Sequence, residues 1–172
     1  TRADAPGLPP TIEVHRGPSG AAYRVHHVEA GPLAPVDKRE QPNLLCGLLL
    51  ALERSSRPRP DVLHAHYWLS GWVGRRLASR WDVPLVQTFH TLGAQKNAHL
   101  APGDTPEPPL RLIAEAAVAR AADRVTVLTC GEARLLHRQH GVPGTRLDVV
   151  PAGVDLSRFQ PRRTPRPVDR PP

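Results

Sequence analysis

The sequence predicts an α/β fold, in which a Rossmann-like parallel sheet is flanked by helices. One observation behind this prediction is the regular alternation of short apolar runs with segments of helical periodicity, which favours parallel strands joined by right-handed crossovers. Another is that polar side chains follow two of the apolar runs where strands would end. His64 to Tyr67 follow residues 61–63, and His90 and Thr91 follow residues 83–88. Ligands bind at the carboxyl ends of strands in such sheets, so these side chains predict a ligand site.

The individual elements follow from the spacing of apolar and turn residues. Pro42 suits the first turn of a helix, and leucines at helical spacing continue it to Arg54. Core strands are predicted at residues 61–63, 83–88, 124–128 and 147–150. Helices are predicted at residues 43–54, 68–80, 106–122 and 131–140. Residues 11–15 and 23–28 are predicted to form a hairpin at one side, and residues 92–104 a loop.

Composition narrows the functional classes. The net charge is +7, but the basic residues are scattered and aromatic residues make up only 4%, which argues against nucleic-acid binding. No run approaches the ~20 apolar residues of a membrane helix, and the first residues lack the apolar core of a signal peptide. Cys46 and Cys130 do not make a disulfide framework, and we expect both to be buried free thiols. The chain is therefore predicted to be cytoplasmic.

Three histidines are candidates for the ligand site. His64 and His66 share one face of a strand end, and His90 ends the next strand. They could be metal ligands, but no carboxylate or cysteine stands at ligand spacing, so the pattern favours no metal. For His64 and His66, a pocket-lining role and a structural role both remain open. His90 is predicted to be functional because neighbouring strands direct polar groups into one crevice.

A second group of residues suits a phosphate. Lone cations such as Lys38 and Lys96 are ordinarily solvated surface charges. Arg111 differs because it lies in the first turns of a predicted helix, where the helix dipole disfavours a cation unless an anion is near. Together with the hydroxyls of Tyr67 and Thr91, such cations would bind a phosphate through charge-assisted hydrogen bonds. No GxGxxG, Walker or GxSxG motif is present, which argues against the nucleotide sites and hydrolases that use them.

Several stretches together resemble a known family. HAHYWLSGWVG, VPLVQTFHTLGAQKN, DTPEPPLRLIAE and LDVVPAGVDLSRFQP resemble the acceptor half of retaining glycosyltransferases of family 4. Within the family, the chain is most similar to members that transfer N-acetylglucosamine from UDP-GlcNAc to 1D-myo-inositol 3-phosphate in actinobacterial mycothiol biosynthesis. The sucrose-phosphate synthase group is similar too. The resemblance implies a GT-B fold, in which two Rossmann-like domains bind acceptor and nucleotide-sugar donor on either side of a cleft.

The resemblance also assigns roles to particular residues. The positions that match the family's acceptor site are Lys38, Tyr67, Thr91 and Arg111, which the resemblance implies hold the acceptor phosphate. His90 would then lie near the reacting sugar, either as a base or as a group that orients the sugar. These are the cations and hydroxyls that the residue types alone group around a phosphate.

The resemblance finally implies how the chain relates to a whole enzyme. Residues 1–157 would be the N-terminal acceptor domain without its first strand, and residues 158–172 a Pro/Arg-rich linker or disordered tail. The absence of methionine also predicts a fragment. The donor domain, which would supply positive charge for the departing diphosphate, would lie elsewhere, so we expect the chain alone to be inactive. The full-length enzyme would use a UDP-sugar co-substrate, with Mg²⁺ as a candidate metal and a homodimer as a candidate assembly.

Two alternatives remain open from the sequence. The first is a family 4 glycosyltransferase with another acceptor, such as fructose 6-phosphate, another sugar or a lipid. Asn97 after Lys96 favours the inositol enzymes over that alternative. The second is a noncatalytic domain that binds a sugar phosphate.

Overall fold

A four-stranded parallel sheet forms the centre of the fold in a computed structural model, which describes residues 12–17, 19–55 and 59–160. Two strands precede this sheet and pair with each other as an antiparallel ribbon, β1 (Ile12–Arg16) and β2 (Ala22–His26). The sheet itself contains, in spatial order, β3 (Leu63–His66), β4 (Leu85–Thr88), β5 (Arg124–Val127) and β6 (Leu147–Val149). The α/β fold with a parallel sheet is therefore confirmed, and the two early strands form the predicted hairpin.

Helices connect the strands at positions that their terminal residues favour. They are α1 (Leu45–Arg54), α2 (Tyr67–Trp81), α3 (Gly93–Asn97), α4 (Pro109–Ala121) and α5 (Cys130–His140), with short 3-10 turns at Gln41–Leu44 and Gly144–Arg146. Pro109 begins α4. A backbone N–H group at this position would have no acceptor within the helix, so proline, which lacks this group, is favoured there. The Thr129 side chain and Glu132 form a capping box at the start of α5, and Gly141 ends it with a left-handed φ of 67°.

The main core lies between the sheet and the helices α2, α4 and α5. Leu85, Val118, Val125, Leu136 and Val142 are almost completely buried there. A smaller cluster around Leu45, Val73 and Leu77 joins α1 to α2. These two clusters pack the helices closely against the sheet whose carboxyl edge carries the predicted site residues.

Several sequence expectations differ from the structure. The strand predicted at residues 61–63 forms instead at Leu63–His66, so His64 and His66 lie within the strand and not after its end. The segment predicted as a loop at residues 92–104 contains the short helix α3, which begins with the small residues Gly93 and Ala94. The helix predicted from residue 106 begins only at Pro109, because Pro108 adopts an extended conformation as its cap. Cys46 and Cys130 are free but exposed, so the expectation that they are buried is wrong. Each cysteine lies on a helix face or end that does not contact the core.

Parts of the expected organisation fall outside the described residues. These are residues 1–11, which precede β1, and residues 161–172, which make up most of the predicted tail. Across the part of the chain that the structure describes, no helix combines the length and apolar character needed to cross a membrane.

Candidate functional site

The carboxyl ends of β3 and β4 place the predicted residues at one edge of the sheet. In the parallel register His66 lies opposite Thr88, so the residues that follow them leave the sheet side by side. Tyr67 begins α2 directly after β3, and His90 follows β4. Both have a left-handed backbone, with φ of 69° and 62°. This conformation is uncommon for residues with a side chain and is concentrated at functional sites.

The three histidines form one cluster. The ring centroids of His64 and His66 lie 4.2 Å apart, and those of His66 and His90 lie 5.1 Å apart. His66 Nδ1 is 2.9 Å from His90 Nε2, so one of these nitrogens donates a proton that the other accepts. The hydrogen bond is therefore lost if both rings become doubly protonated. His90 is exposed, and its Nδ1 makes no hydrogen bond to the described residues, so that atom is available to a ligand.

A chain of hydrogen bonds anchors this cluster to the sheet. His64 Nε2 lies 2.8 Å from Thr88 Oγ1, which in turn forms a short hydrogen bond with Thr126 Oγ1 on β5. Desolvation, together with the neighbouring rings of His66 and His90, lowers the pKa of His64 below its ordinary value. His64 is therefore neutral near pH 7, and its hydrogen bond to Thr88 fixes the orientation of its ring.

Arg111 is buried at the start of α4, and only 1% of its side chain is exposed. Its Nε donates to Glu115 Oε1 at 2.7 Å, and its Nη2 donates to both the carbonyl and the hydroxyl oxygen of Thr91 at 3.0 Å. Its Nη1 lies 2.9 Å from Glu107 Oε2, but the angle is not that of a hydrogen bond. The guanidinium carbon also lies 5.0 Å from the centre of the Tyr67 ring.

The anions that partner Arg111 in this structure come from the protein itself. Sequence reasoning predicted an anion near this cation but missed Glu107 and Glu115, although their positions four residues before and after Arg111 are a recognisable helical signal. Burial raises the pKa of Glu115, which also accepts the Gly93 N–H at 2.8 Å. Burial likewise raises the pKa of Glu107, but the hydrogen bond from Lys96 and the nearby charge of Arg111 outweigh burial, so its pKa is lower than usual.

A cavity of about 390 Å³ opens beside this network. Lys38, Tyr67 and Glu107 line it, together with residues of the 3-10 turn, the first turn of α2 and the segment before α4. Lys38 Nζ and the Tyr67 hydroxyl make no hydrogen bond or ion pair with the described residues. Two of the predicted phosphate ligands therefore line one cavity and carry donors that no described residue uses.

The structure brings the predicted residues close together, but not in one layer. Lys38 and Tyr67 line the cavity, whereas Arg111 lies behind Glu107 and contacts both Tyr67 and Thr91. His90 follows the neighbouring strand and joins the histidine cluster. A larger open groove of about 1050 Å³ lies at the other end of α2, and none of these residues line it. Within the described ranges, no group of three or more His, Cys, Asp or Glu side chains is arranged to hold a metal ion.

Cations, hydroxyls and imidazoles at the carboxyl edge of a parallel sheet are typical of a Rossmann-like domain with a site for a small polar ligand. Comparison with known families agrees with this class. The chain belongs to the Glycosyl transferase 4-like domain family, which matches residues 1–153. The family resemblance found in the sequence motifs is therefore confirmed.

Individual relatives extend the comparison. The chain is 47% identical over 165 residues to a D-inositol 3-phosphate glycosyltransferase of Xylanimonas cellulosilytica, covering 94% of this chain and 38% of the relative. It is 46% identical over 165 residues to the protein of that name from Mycobacterium bovis, covering 94% of this chain and 33% of the relative. The chain thus spans about a third to two fifths of the curated relatives it matches.

A solved structure shares the fold. The sucrose-phosphate synthase of Thermosynechococcus elongatus superposes with a TM-score of 0.78 at 26% identity, covering 94% of this chain and 39% of the synthase chain. The Rossmann-like architecture predicted from the sequence therefore matches about two fifths of the larger synthase chain.

Proposed function

We propose that this chain is the acceptor-binding part of a retaining glycosyltransferase. The whole protein would transfer N-acetylglucosamine from UDP-GlcNAc to 1D-myo-inositol 3-phosphate, as in mycothiol biosynthesis. The observation that carries the proposal is the cavity where Lys38 and Tyr67 present unused donors beside the Arg111 network. The names of the curated relatives support the choice of acceptor.

Each side chain has a defined part in binding the acceptor phosphate. Lys38 Nζ and the Tyr67 hydroxyl donate directly to phosphate oxygens. The Thr91 hydroxyl oxygen already accepts a hydrogen bond from Arg111 Nη2, so its own proton is free to donate to the phosphate. Arg111 adds positive charge from a buried position, where its field is screened less than at the surface.

His90 contacts the reacting part of the acceptor. Its Nε2 is hydrogen-bonded to His66 Nδ1, so the Nδ1 atom of His90 is available for a hydrogen bond with a hydroxyl group of the sugar ring.

The donor diphosphate needs positive charge as it departs, and this charge would come from a second domain that binds UDP-GlcNAc. Residues 1–157 would form the acceptor domain and residues 158–172 the link to the second domain. Mg²⁺ binding, homodimer formation and a cytoplasmic location remain predictions from the sequence.

Calorimetric titration of 1D-myo-inositol 3-phosphate into the chain tests this proposal. Lys38→Ala and Tyr67→Phe each remove a donor that has no structural partner, so both variants should fold. A hydrogen bond to a charged group contributes about 1.5–3 kcal/mol, so each variant should bind at least about tenfold more weakly. Tyr23→Phe makes the same chemical change on the exposed ribbon and should leave binding unchanged. The proposal is contradicted if the folded chain does not bind inositol phosphate, or if neither substitution changes its affinity.

Fructose 6-phosphate is the second candidate acceptor, because the chain superposes on a sucrose-phosphate synthase. The same phosphate ligands would serve it, so the two candidates differ only in the sugar ring. Titration of both ligands into the same preparation separates them. Tighter binding of fructose 6-phosphate would replace the inositol assignment while keeping the phosphate site.

A further inference from the structure

Glu107 occupies a position that a phosphate would suit. Its carboxylate contacts two cations at once, with Oε1 in a short ion pair with Lys96 Nζ and Oε2 2.9 Å from Arg111 Nη1. Only 14% of its side chain is exposed. A phosphate makes the same kind of charge-assisted contacts with Lys and Arg. The Glu107 carboxylate therefore occupies the two cations that could otherwise bind the acceptor phosphate.

Glu107 also lies between the cavity and both of these cations. Glu107 lines the cavity with Lys38 and Tyr67, whereas Lys96 and Arg111 do not. A phosphate that entered the cavity would meet the Glu107 carboxylate before it reached Arg111 Nη1. Two anions so close together repel each other, at a cost that grows where water is excluded.

The carboxylate can leave without disturbing a helix or strand. Glu107 belongs to the irregular segment between α3 and α4, where its backbone N–H donates to Asn97 Oδ1 at 2.8 Å. That bond fixes the backbone, while rotation of the side chain alone would release Lys96 and Arg111. The contact with Arg111 Nη1 lacks hydrogen-bond geometry, so the hydrogen bond from Lys96 Nζ is the directional contact with these two cations that rotation breaks.

We propose that Glu107 is an internal anion that holds Lys96 and Arg111 in the empty site and is displaced from them by the acceptor phosphate. Lys96 then becomes a further ligand of the bound phosphate. Glu107 also lowers the affinity for any anion too weakly charged to displace it, which makes it a specificity-determining residue. This inference rests on the proposed phosphate site and adds two residues to it.

Titration of inorganic phosphate into Glu107→Gln and the unmodified chain tests the displacement. The glutamine keeps the size of the side chain but removes the competing charge, so the variant should bind phosphate about tenfold more tightly, equal to 1.4 kcal/mol. Glu53→Gln is the matched control, because Glu53 pairs with Arg80 away from the cavity at a similar side-chain exposure of 17%. The control should leave phosphate binding unchanged. Equal or weaker binding by Glu107→Gln overturns the inference.

Lys96→Gln supplies a second test that does not depend on the folding of the first variant. If Lys96 contacts the bound phosphate, this variant should weaken phosphate binding several-fold. If Lys96 serves only to hold Glu107, binding should stay the same or tighten, and the inference fails. Lys38→Ala separates this failure from that of the proposed function. If Lys38→Ala weakens phosphate binding but Glu107→Gln does not tighten it, the proposed phosphate site stands and the displacement of Glu107 is refuted. Absence of phosphate binding in every folded variant rejects both.

Discussion

Replacement of Arg111 by methionine should destabilise the fold and not only the ligand site. Arg111→Met removes the guanidinium but leaves the Glu115 carboxylate completely buried, with only the Gly93 N–H as a partner. Removal of one member of a buried ion pair costs about 3–5 kcal/mol. This is a large part of the roughly 5–15 kcal/mol that stabilises a typical domain. Loss of ligand binding by this variant would therefore not by itself locate the phosphate.

A double variant separates the two effects. Arg111→Met with Glu115→Gln removes both charges, while the glutamine oxygen can still accept the Gly93 N–H. We expect the double variant to recover most of the lost stability, because no unpaired charge stays buried. Neither variant should bind phosphate normally, because both lack the Arg111 charge.

Urea unfolding followed by tryptophan fluorescence measures both variants. With a slope near 2 kcal/mol/M, the single variant should lower the urea midpoint by roughly 2 M. The reasoning fails if Arg111→Met loses less than about 1 kcal/mol, since the buried charge of Glu115 would then carry little cost. It also fails if the double variant is as unstable as the single one.

Two further predictions concern packing and pH. Gly71→Ala would place a Cβ 2.4 Å from Gln87 Oε1, so it should lower the free energy of unfolding by about 1–3 kcal/mol, whereas Gly144→Ala, which meets no atom within 4 Å, should not. Urea midpoints of the two variants make this comparison directly. The hydrogen bond from Lys96 helps to hold the pKa of Glu107 in the folded chain below its ordinary value of 4.5. As the pH falls, the unfolded chain therefore protonates this carboxylate before the folded chain does. The free energy of unfolding should then decrease as the pH drops below about 4.5. Glu107→Gln should flatten that part of the stability profile, and an unchanged profile would contradict the pKa assignment.

The fold could be predicted from the sequence because the relevant signals are local. Apolar runs, prolines at helix starts and Gly141 at a helix end each act within a few residues. The errors arose where tertiary contacts decide. Residues 93–97 lack helical periodicity of useful length, and the exposure of Cys46 depends on which face of α1 meets α2.

The site could be predicted only in part, for a related reason. Residue types and strand ends identified Tyr67, His90 and Arg111 as candidates, and the structure places them at one edge of the sheet. The partners of Arg111 could not be assigned, because an arginine in a first helical turn attracts a ligand anion and a protein carboxylate equally well. The spacing of four residues makes Glu107 and Glu115 candidates, and the structure shows that both contact Arg111.

Tyr67 and His90 adopt a left-handed backbone conformation that disfavours any residue with a side chain. A residue with a Cβ costs about 1–2 kcal/mol in this conformation, whereas glycine adopts it freely. Replacement by glycine at either position would therefore relax the main chain while it deletes the phenol or the imidazole. Tyr67 packs against the core, which opposes that gain, whereas His90 is exposed and contacts mainly His66. A search for more stable variants of this protein would therefore erode the candidate ligand site first at His90.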